Sequence, residues 1–275
     1  MTQSAMSHLI RGLEDELGVK LLNRQGRAVI PTPAGKLFYG HAKQILSHYK
    51  NMEDDVYACA KKIKGPLYLG ASTTAAAYLL PQVFYGFSRK YPEVRIELSV
   101  SNTEQVLYKL HQGSIDMGIV EGNIKKAKVF SEELAEDEIV LIASDDNPFA
   151  GRKTLAPRDF LSQPFIMPET GSGIREFIDD FLYASKIDPG NLNVAMTLGS
   201  PELIVRMVQS GLGISFVSKW SVFRAVKEGS IKVLHVSGRK LRRKFYLVGL
   251  EKERSTAVVR GFCEFIREFK FFVPF

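Results

Sequence analysis

The first residues of the chain combine side chains that can read nucleic acid with the spacing of a helix. One face of the first two turns carries small or hydrogen-bonding side chains, namely Gln3, Ser4, Ser7, His8 and Arg11. Such side chains reach base edges and phosphates when the start of a helix enters a major groove. The sequence therefore predicts a DNA-reading helix here, while a solvated amphipathic helix would show the same polar face.

The hairpin that follows carries two arginines. Short apolar runs at Val19–Leu22 and Ala28–Ile30 flank the segment 23–27, which contains Arg24 and Arg27. This pattern is typical of two paired strands joined by a tight turn. Guanidinium groups at the tip suit phosphates or a narrow minor groove. We therefore add both arginines to the predicted DNA-binding set.

The first helix also has an apolar face. Met6, Leu9, Leu13 and Leu17 recur at helical spacing, which predicts that this face is buried. Gly18 follows directly and predicts the end of the helix in a left-handed conformation.

A second, longer helix shows the spacing of a coiled coil. Its apolar residues alternate at intervals of four and three, and they are Phe38, Ala42, Ile45, Tyr49, Met52, Val56, Cys59 and Ile63. A seam sustained over more than three heptads predicts pairing with a second helix. We expect a homodimer through this helix, with a homotetramer left open, because paired reading heads bind two half-sites at a set separation.

Charge and cysteine content narrow the function classes. The net charge is +7, and residues 1–64 hold ten Lys/Arg against six Asp/Glu. Basic charge concentrated at one end favours a polyanionic partner. Two cysteines predict a reducing compartment, and no secretory signal or membrane-spanning run is recognised, so a cytoplasmic protein is expected. We predict no metal and no cofactor.

Beyond the linker at Lys61–Pro66 the chain alternates strands with helices. The repeated βαβ pattern predicts a mostly parallel sheet with helices on both faces, arranged as two lobes around a cleft. The predicted strands are Leu67–Ala71, Val94–Val100, Ile115–Val120, Glu138–Ala143, Phe165–Met167, Asn193–Leu198, Gly213–Val217, Ile231–Val236 and Phe245–Leu250. Helices are predicted at Thr74–Tyr91 and Thr103–Gln112, from Ser172, from Pro201, near Lys219–Lys227 and at Arg254–Lys270.

The N-terminal segment resembles the DNA-binding domain of LysR-type transcriptional regulators. The residues that match the signature of that family are Gln3, Ala5, Ser7, Ile10, Leu13, Glu14, Leu17, Gly18, Leu21, Arg24, Arg27, Thr32, Ala34 and Gly35. Leu22 stands where the family usually has Phe. The match begins at the recognition helix, so we expect a partial winged helix-turn-helix whose bracing helices are missing.

The remainder resembles the effector domain of the same family, nearest to its regulators of carbon fixation and sulfur assimilation. The matching phrases lie at 70–74, 78–81, 101–104, 118–122, 169–175, 198–202 and 211–215. Ile174 and Pro201 stand where Thr is common. The resemblance implies an α/β fold, in which a partial winged helix-turn-helix and a long linker helix precede a two-lobed, periplasmic-binding-protein-like (type 2) effector domain.

The resemblance and the element pattern together set the expected domains. Residues 1–35 form the recognition helix and wing, 36–64 the dimerisation helix, and 65–275 the effector domain. Its two lobes are expected at about 66–137 plus 238–275, and at about 138–237.

Four strand-to-helix junctions of this effector domain carry small polar residues. In open α/β sheets, ligands bind at such junctions, where exposed N–H groups and the helix dipole favour an anion. The expected effector is a small, anionic metabolite, which Glu121 and Glu169 would repel, so we expect these two carboxylates only at the rim of the site. Each hydroxyl also fits the ordinary role of a helix N-cap, and Arg175 fits either a ligand carboxylate or a structural ion pair. The predicted effector-binding residues are Ser72, Thr73, Ser101, Asn102, Thr103, Gly171, Ser172, Gly173, Gly199 and Ser200.

The sequence thus predicts a DNA-binding regulator controlled by a small metabolite and not an enzyme, since the five histidines are scattered and no nucleophile or phosphate-transfer motif is present. Two alternatives stay open. One is a truncated effector-binding fragment with weak or no DNA binding, and the other is a cytoplasmic small-molecule-binding protein. Salt-dependent affinity for duplex DNA separates a regulator from both.

Overall fold

Two compact units make up the chain, residues 1–60 and 61–275. The structure is a computed structural model, which describes residues 2–25, 28–59, 63–122, 124, 128–152, 154–237, 241–250 and 256–271. Among these residues, no helix has both the length and the apolar character needed to cross a membrane.

The first unit consists of two helices and a hairpin. Thr2 accepts a hydrogen bond from the Ala5 amide at the start of the first helix, and Gly18 ends that helix at φ 67°, as the sequence predicts. The elements in order are α1 (Gln3–Leu17), β1 (Leu22–Gln25), β2 (Ala28–Pro31) and α2 (Pro33–Cys59).

The structure corrects two predictions in this unit. The side chains of Met6, Leu9 and Leu17 are exposed, so the prediction that their face is buried is wrong. The face of α1 turned inward instead holds Ile10, Leu13 and Glu14, because these residues lie nearest the hairpin and the start of α2. The hairpin strands are also shifted, since β1 begins only at Leu22 and includes Arg24, which pairs with Val29.

The long helix α2 is shorter than its heptad pattern predicts. It ends at Cys59, whereas Ile63 belongs to the second unit and packs in its core beside Gly261. Ile63 fits the heptad spacing only by coincidence, since it is apolar because it packs in the second unit. Within the helix, Ile45, Tyr49 and Met52 are exposed in the single chain, as is Val56.

The first lobe of the second unit is built on three parallel strands. The central strand pairs with both others, and its Leu67, Leu69 and Ala71 side chains are fully buried against two helices, while a third helix packs in a separate cluster. A π-helical turn at Ala75–Leu79 leads into the first of these helices. The elements are β3 (Gly65–Ser72), α3 (Leu80–Lys90), β4 (Val94–Ser101), α4 (Thr103–His111), β5 (Met117–Glu121) and α8 (Ala257–Glu268).

The second lobe repeats the alternation of strands and helices. Its aromatic and aliphatic core includes Phe165 and Phe216, whose rings lie 6.0 Å apart, and three helices cover the strands. The elements are β7 (Phe165–Pro168), α5 (Gly173–Ala184), β8 (Val194–Leu198), α6 (Pro201–Gln209), β9 (Ser215–Ser218), α7 (Lys219–Lys227) and β10 (Ile231–Leu234).

Two long strands join the lobes, and they correct the prediction of a mostly parallel sheet. Strands β6 (Phe130–Ser144) and β11 (Leu241–Gly249) pair antiparallel with each other, and β11 is also antiparallel to β5. The sheet is therefore mixed. Both strands begin earlier than predicted, because their first residues are rich in charge and do not show the apolar alternation that marks a strand. Cross-strand ion pairs such as Arg242–Glu136 join the two strands there instead.

A buried charge network ties these joining strands to both lobes. The Arg243 Nε donates to Asp137 Oδ2 at 2.8 Å, and Nη1 lies 3.1 Å from Glu121 Oε1. Ser72 donates to the Glu121 carboxylate, and Ser218 donates to Asp137 Oδ1 at 2.8 Å. Burial raises the pKa of Asp137 above its ordinary value, while the Arg243 charge and the hydrogen bonds oppose that rise. One guanidinium therefore holds two buried carboxylates at the point where the lobes meet.

Replacing Arg243 should strongly destabilise the second unit. We expect Arg243→Met to lower the free energy of unfolding by about 3–5 kcal/mol at neutral pH, because it leaves two carboxylates buried without their cation. Burial raises the pKa of Asp137, and without the Arg243 charge its folded-state pKa lies further above the unfolded-state value, so the loss is largest at high pH and shrinks as the pH falls. Urea denaturation of the full chain at several pH values measures both effects.

Arg242→Met on the same strand is the matched control. Its guanidinium is exposed and pairs with the exposed Glu136 at 3.2 Å. Such pairs contribute no more than about 1 kcal/mol. Equal unfolding free energies and equal pH profiles for the two variants would contradict the role assigned to Arg243.

Candidate functional site

The four predicted junctions meet at one narrow cavity between the lobes. Each contributes one lining residue, and these are Thr73, Asn102, Ser172 and Gly199. The cavity has a volume of about 10 Å³. Its other described lining residues are Pro168, Glu169, Ile174, Leu198, Pro201, Ile204, Phe216 and Val217. The structure therefore brings together residues that are far apart in sequence, at the place where the fold pattern predicts a ligand.

Local capping explains how three of these junctions are formed. The Asn102 Oδ1 accepts from the Gln105 amide at 3.0 Å at the start of α4. Ser172 accepts from the Ile174 amide and Ser200 from the Leu203 amide, each at 3.3 Å, at the starts of α5 and α6. The polar side chains thus satisfy helix amides that otherwise have no partner within the helix. The capping role and a place beside the cavity coexist at Asn102 and Ser172.

Three predicted residues use their side chains elsewhere. Ser72 is buried and bonded to the Glu121 carboxylate, and Thr103 donates to the Glu121 carbonyl at 3.0 Å. Ser101 accepts a hydrogen bond from Lys109 Nζ at 3.3 Å. Ser72 and Thr103 therefore fix the end of β5 beneath the cavity, and none of the three is among the described residues that line it.

Two of the predicted glycines allow close approach of the lobes. A Cβ atom at Gly173 would lie 2.5 Å from the Glu121 carbonyl oxygen, so α5 can begin against β5 only without a side chain there. Gly171 has a φ of 83°, in the left-handed region, and its carbonyl accepts from the Glu104 amide at 3.3 Å. This hydrogen bond links the loop after β7 to the start of α4 in the other lobe.

A carboxylate that was not predicted as a site residue also lines the cavity. Glu169 Oε1 accepts a hydrogen bond from Asn102 Nδ2 at 3.0 Å, across the two lobes. Its other oxygen, Oε2, lies 2.8 Å from the position that a Cβ atom at Gly199 would take. Glu169 begins the phrase Glu169–Gly173 that resembles the family, and this phrase could have indicated a site residue. We expected Glu169 only at the rim because a carboxylate repels an anion.

Arg175 makes a structural ion pair. Its Nε lies 3.0 Å from Asp179 Oδ2 on the same helix, and its Nη1 donates to the Pro168 carbonyl at 3.4 Å. Of the two interpretations that the sequence left open, the geometry favours the structural one.

In the first unit, the predicted DNA-reading residues lie on the outward face of α1. Gln3, Ser4, His8 and Arg11 are exposed, and Ser7 is half-buried. Arg24 lies in strand β1, but its side chain falls outside the described residues, as does the whole of Arg27. The structure thus leaves four of these five side chains accessible at the start of α1, where the apolar side chains of Met6 and Leu9 are exposed as well.

A buried carboxylate fixes the angle between α1 and the hairpin. Glu14 accepts hydrogen bonds from the amides of Leu21 and Leu22 at 2.8 and 3.0 Å, and from Lys20 Nζ at 3.0 Å. These donors, the Leu22 amide first, lower the pKa of Glu14 to about 2. The sequence placed Glu14 in a family signature without giving it a role, and the contacts give it a structural one.

The start of α2 approaches the same segment closely. The Thr32 hydroxyl donates to the Lys20 carbonyl at 2.7 Å and accepts from the Gly35 amide at 2.9 Å. A Cβ atom at Gly35 would lie 1.9 Å from the Leu21 carbonyl oxygen. Only glycine fits this contact. These contacts give Thr32 and Gly35, two further residues of the family signature, a structural role.

Comparisons with protein families match both units. Residues 60–270 match the family described as LysR substrate binding domain, and residues 1–36 match the family described as bacterial regulatory helix-turn-helix protein, lysR family. The HTH-type transcriptional regulator CysL of Bacillus subtilis is 30% identical over 244 residues, which cover 89% of this chain and 81% of CysL. A probable RuBisCO transcriptional regulator of Trichormus variabilis is 33% identical over 251 residues, covering 90% of this chain and 74% of that protein.

Solved structures show the same fold. The regulatory domain of Synechocystis PCC6803 CcmR in complex with 2-PG has a TM-score of 0.68 and 25% identity, over 74% of this chain and 96% of that one. Full-length CbnR in complex with its target DNA has a TM-score of 0.67 and 20% identity, over 97% and 90% of the two chains. The latter likeness supports the fold alone.

Removing the Glu14 carboxylate should loosen the hairpin from α1. In Glu14→Gln we expect faster amide hydrogen exchange at Leu21 and Leu22, because a neutral amide oxygen is a weaker acceptor than a carboxylate. The folded-state pKa lies below the unfolded-state pKa, so the stabilisation is present above the unfolded pKa and disappears as the pH falls toward 2. The difference in exchange between the variant and the original chain should therefore be full at pH 6, be smaller at pH 3 and disappear only near pH 2.

Glu16→Gln is the matched control for this experiment. Glu16 lies two residues further along α1 and is exposed. It should leave the exchange of both leucine amides unchanged. Equal exchange in Glu14→Gln and Glu16→Gln at pH 6 would show that Glu14 does not hold the hairpin.

Proposed function

The chain belongs to the LysR family of transcriptional regulators, and on this basis we propose that it binds promoter DNA as a homodimer or homotetramer under the control of a small anionic effector. Its second unit has the type 2 periplasmic-binding-protein-like fold of the family's effector domain. The observation that carries the DNA-binding part is the exposed polar face at the start of α1. We propose a regulatory and not a catalytic role, in the cytoplasm.

The DNA contacts that we propose come from the recognition helix and the wing. Gln3, Ser4, His8 and Arg11 are exposed on α1, and their side chains make no hydrogen bond to any other residue that the structure describes; the half-buried Ser7 lies between them. Amide, hydroxyl and guanidinium groups at a helix start suit both base edges and phosphates. We add Arg24 and Arg27 on the hairpin as phosphate or minor-groove contacts, from the sequence alone.

The dimer that we propose forms through α2, within the segment 36–64. Four seam residues, Ile45, Tyr49, Met52 and Val56, are between 54% and 68% exposed in the single chain. Exposed apolar side chains at alternating four- and three-residue spacing are costly in water, and a partner helix covers them. Pairing of this helix would set two reading heads at a fixed separation.

The effector site that we propose is the cavity between the lobes, within the domain 65–275. Thr73, Asn102, Ser172 and Gly199 line it directly. Ser72, Ser101, Thr103, Gly171, Gly173 and Ser200 shape it from behind. CcmR, whose regulatory domain has the same fold, was solved in complex with 2-PG. That likeness supports an anionic metabolite here, bound where three helices begin.

A second candidate function is effector binding with weak DNA affinity. Met6, Leu9 and Leu17 are exposed on α1, and an apolar groove of about 450 Å³ lies beside Leu13 and Phe38. Uncovered apolar surface of this kind favours a reading helix that is held on one side only, through Glu14 and the hairpin, because packing normally fixes the orientation of a helix. Affinity for a promoter duplex decides between the two functions.

Binding to a promoter duplex should depend steeply on salt. We expect Arg11→Gln to weaken binding and to reduce the slope of log affinity against log salt by about 1, because one phosphate contact is lost. Fluorescence anisotropy between low and physiological salt measures both quantities. The charge-matched control is Arg158→Gln, which removes an exposed arginine of the second unit. Equal slopes for the two variants would refute the proposed contact, and no salt-dependent binding by the original chain would favour the second candidate.

A charge placed in the seam of α2 should separate the dimer. We expect Met52→Glu to shift the chain from dimer toward monomer in sedimentation velocity, since a carboxylate would be buried against its own copy. Leu46→Glu is the control, because Leu46 is 69% exposed on the same helix but lies outside the seam. If both variants stay dimeric at the lowest concentration that can be measured, α2 is not the main dimer contact.

A further inference from the structure

The proposed effector cavity is almost filled. Its volume of about 10 Å³ corresponds to roughly one water molecule. A sulfate or phosphate group needs more room than one water molecule, and so does any ligand that carries a carboxylate. An anionic effector therefore cannot enter this arrangement unless a lining side chain moves out.

One lining side chain has the charge of the expected effector. Among the described residues that line the cavity, Glu169 is the one with an ionisable side chain. It is half-buried, its Oε1 accepts from Asn102 Nδ2 at 3.0 Å, and its Oε2 lies 2.8 Å from the position of a Cβ atom at Gly199. The carboxylate thus reaches from its own lobe to the residue that caps α4 in the other lobe.

The surroundings of this carboxylate are those of an anion. Asn102 is the N-cap of α4, and Gly199 directly precedes Ser200, the N-cap of α6. Helix starts carry partial positive charge and exposed amides, which stabilise a negative group. Because glycine has no side chain, the Glu169 carboxylate fits beside Gly199.

We propose that the Glu169 carboxylate occupies the anion position of the effector cavity, so that an anionic effector binds by displacing it. This inference rests on the proposed effector site. It makes Glu169 the residue that sets ligand selectivity, because a ligand must offer a negative group that replaces the carboxylate at Asn102 and Gly199. A neutral ligand cannot compensate the loss of that charge-assisted hydrogen bond.

Displacement also changes the contact between the lobes. The Asn102–Glu169 hydrogen bond spans the cleft, and among the described residues the one other hydrogen bond from this loop to the first lobe joins the Gly171 carbonyl to the Glu104 amide. An effector that takes over Asn102 replaces an internal link by one through the ligand. Effector binding is then an exchange of one anion for another, and its affinity is reduced by the cost of releasing Glu169.

Removing the internal charge should make simple anions bind more tightly. We expect Glu169→Gln and Glu169→Ala in the full chain to raise the affinity for inorganic sulfate and inorganic phosphate at least about tenfold, equivalent to about 1.4 kcal/mol. Isothermal titration calorimetry at constant ionic strength, balanced with chloride, measures this. The glutamine variant keeps the size and an acceptor for Asn102, so it remains informative if the alanine variant folds poorly.

Glu202→Gln is the control for long-range charge. Glu202 lies three residues after Gly199 but is 70% exposed and pairs with Arg206 at 3.0 Å. Removing it changes the net charge as Glu169→Gln does but leaves the carboxylate in the cavity, so the affinity of this variant for sulfate should stay within about threefold of that of the original chain. If Glu202→Gln strengthens binding as much as Glu169→Gln, the gain is general electrostatics and the inference is wrong.

A third variant separates this inference from the proposed site. In the Glu169→Gln background, Thr73→Ala with Ser172→Ala should weaken sulfate binding if the anion lies in the cavity. If these changes weaken binding but Glu169→Gln binds no more tightly than the original chain, the site stands and the displacement of Glu169 is refuted. If the alanine changes have no effect, or if Glu169→Gln binds neither anion, the site itself is refuted and the inference with it.

Discussion

The arrangement of the second unit depends on one buried cation. Arg243 lies on a joining strand, and it meets Asp137 of the other joining strand and Glu121 at the end of β5. Each carboxylate is held in turn by a serine at the end of a strand, Ser72 in the first lobe and Ser218 in the second. Isolated buried charges are unstable in a low-dielectric interior, so these groups remain buried only in one mutual geometry. The strand ends that carry the effector cavity are positioned by that geometry.

Local signals predicted much of this architecture. The starts of α4, α5 and α6 follow from Asn102, Ser172 and Ser200, because an N-cap is decided by neighbours within three residues. The predicted junctions also converge on one cavity, where the ends of β3 and β4 in the seven-stranded sheet face the ends of β7 and β8 in a separate two-stranded sheet.

Other features depend on contacts between distant residues, and sequence patterns do not reveal them. Residues 130–137 show no apolar alternation, so their place in a strand depends on pairing with β11. The partnership of Arg243 with residues 106 and 122 positions away has no local signature. Glu169 was placed at the rim by its charge, whereas its position is set by Asn102 in the other lobe. The exposure of Met6 and Leu9 likewise could not be read from spacing, which shows that a face is apolar but not what covers it.

The antiparallel pairing of β6 with β11 has a mechanical consequence for the two lobes. The chain passes between the lobes twice, and both passages lie in one hydrogen-bonded ribbon instead of in two separate loops. A ribbon of this kind resists bending within its plane and yields most readily by twisting. We therefore expect the lobes to move relative to each other by rotation about the long axis of this ribbon and not by hinge bending. A rotation of this type moves the cavity walls past each other by small distances while the backbone ladder between the lobes stays intact.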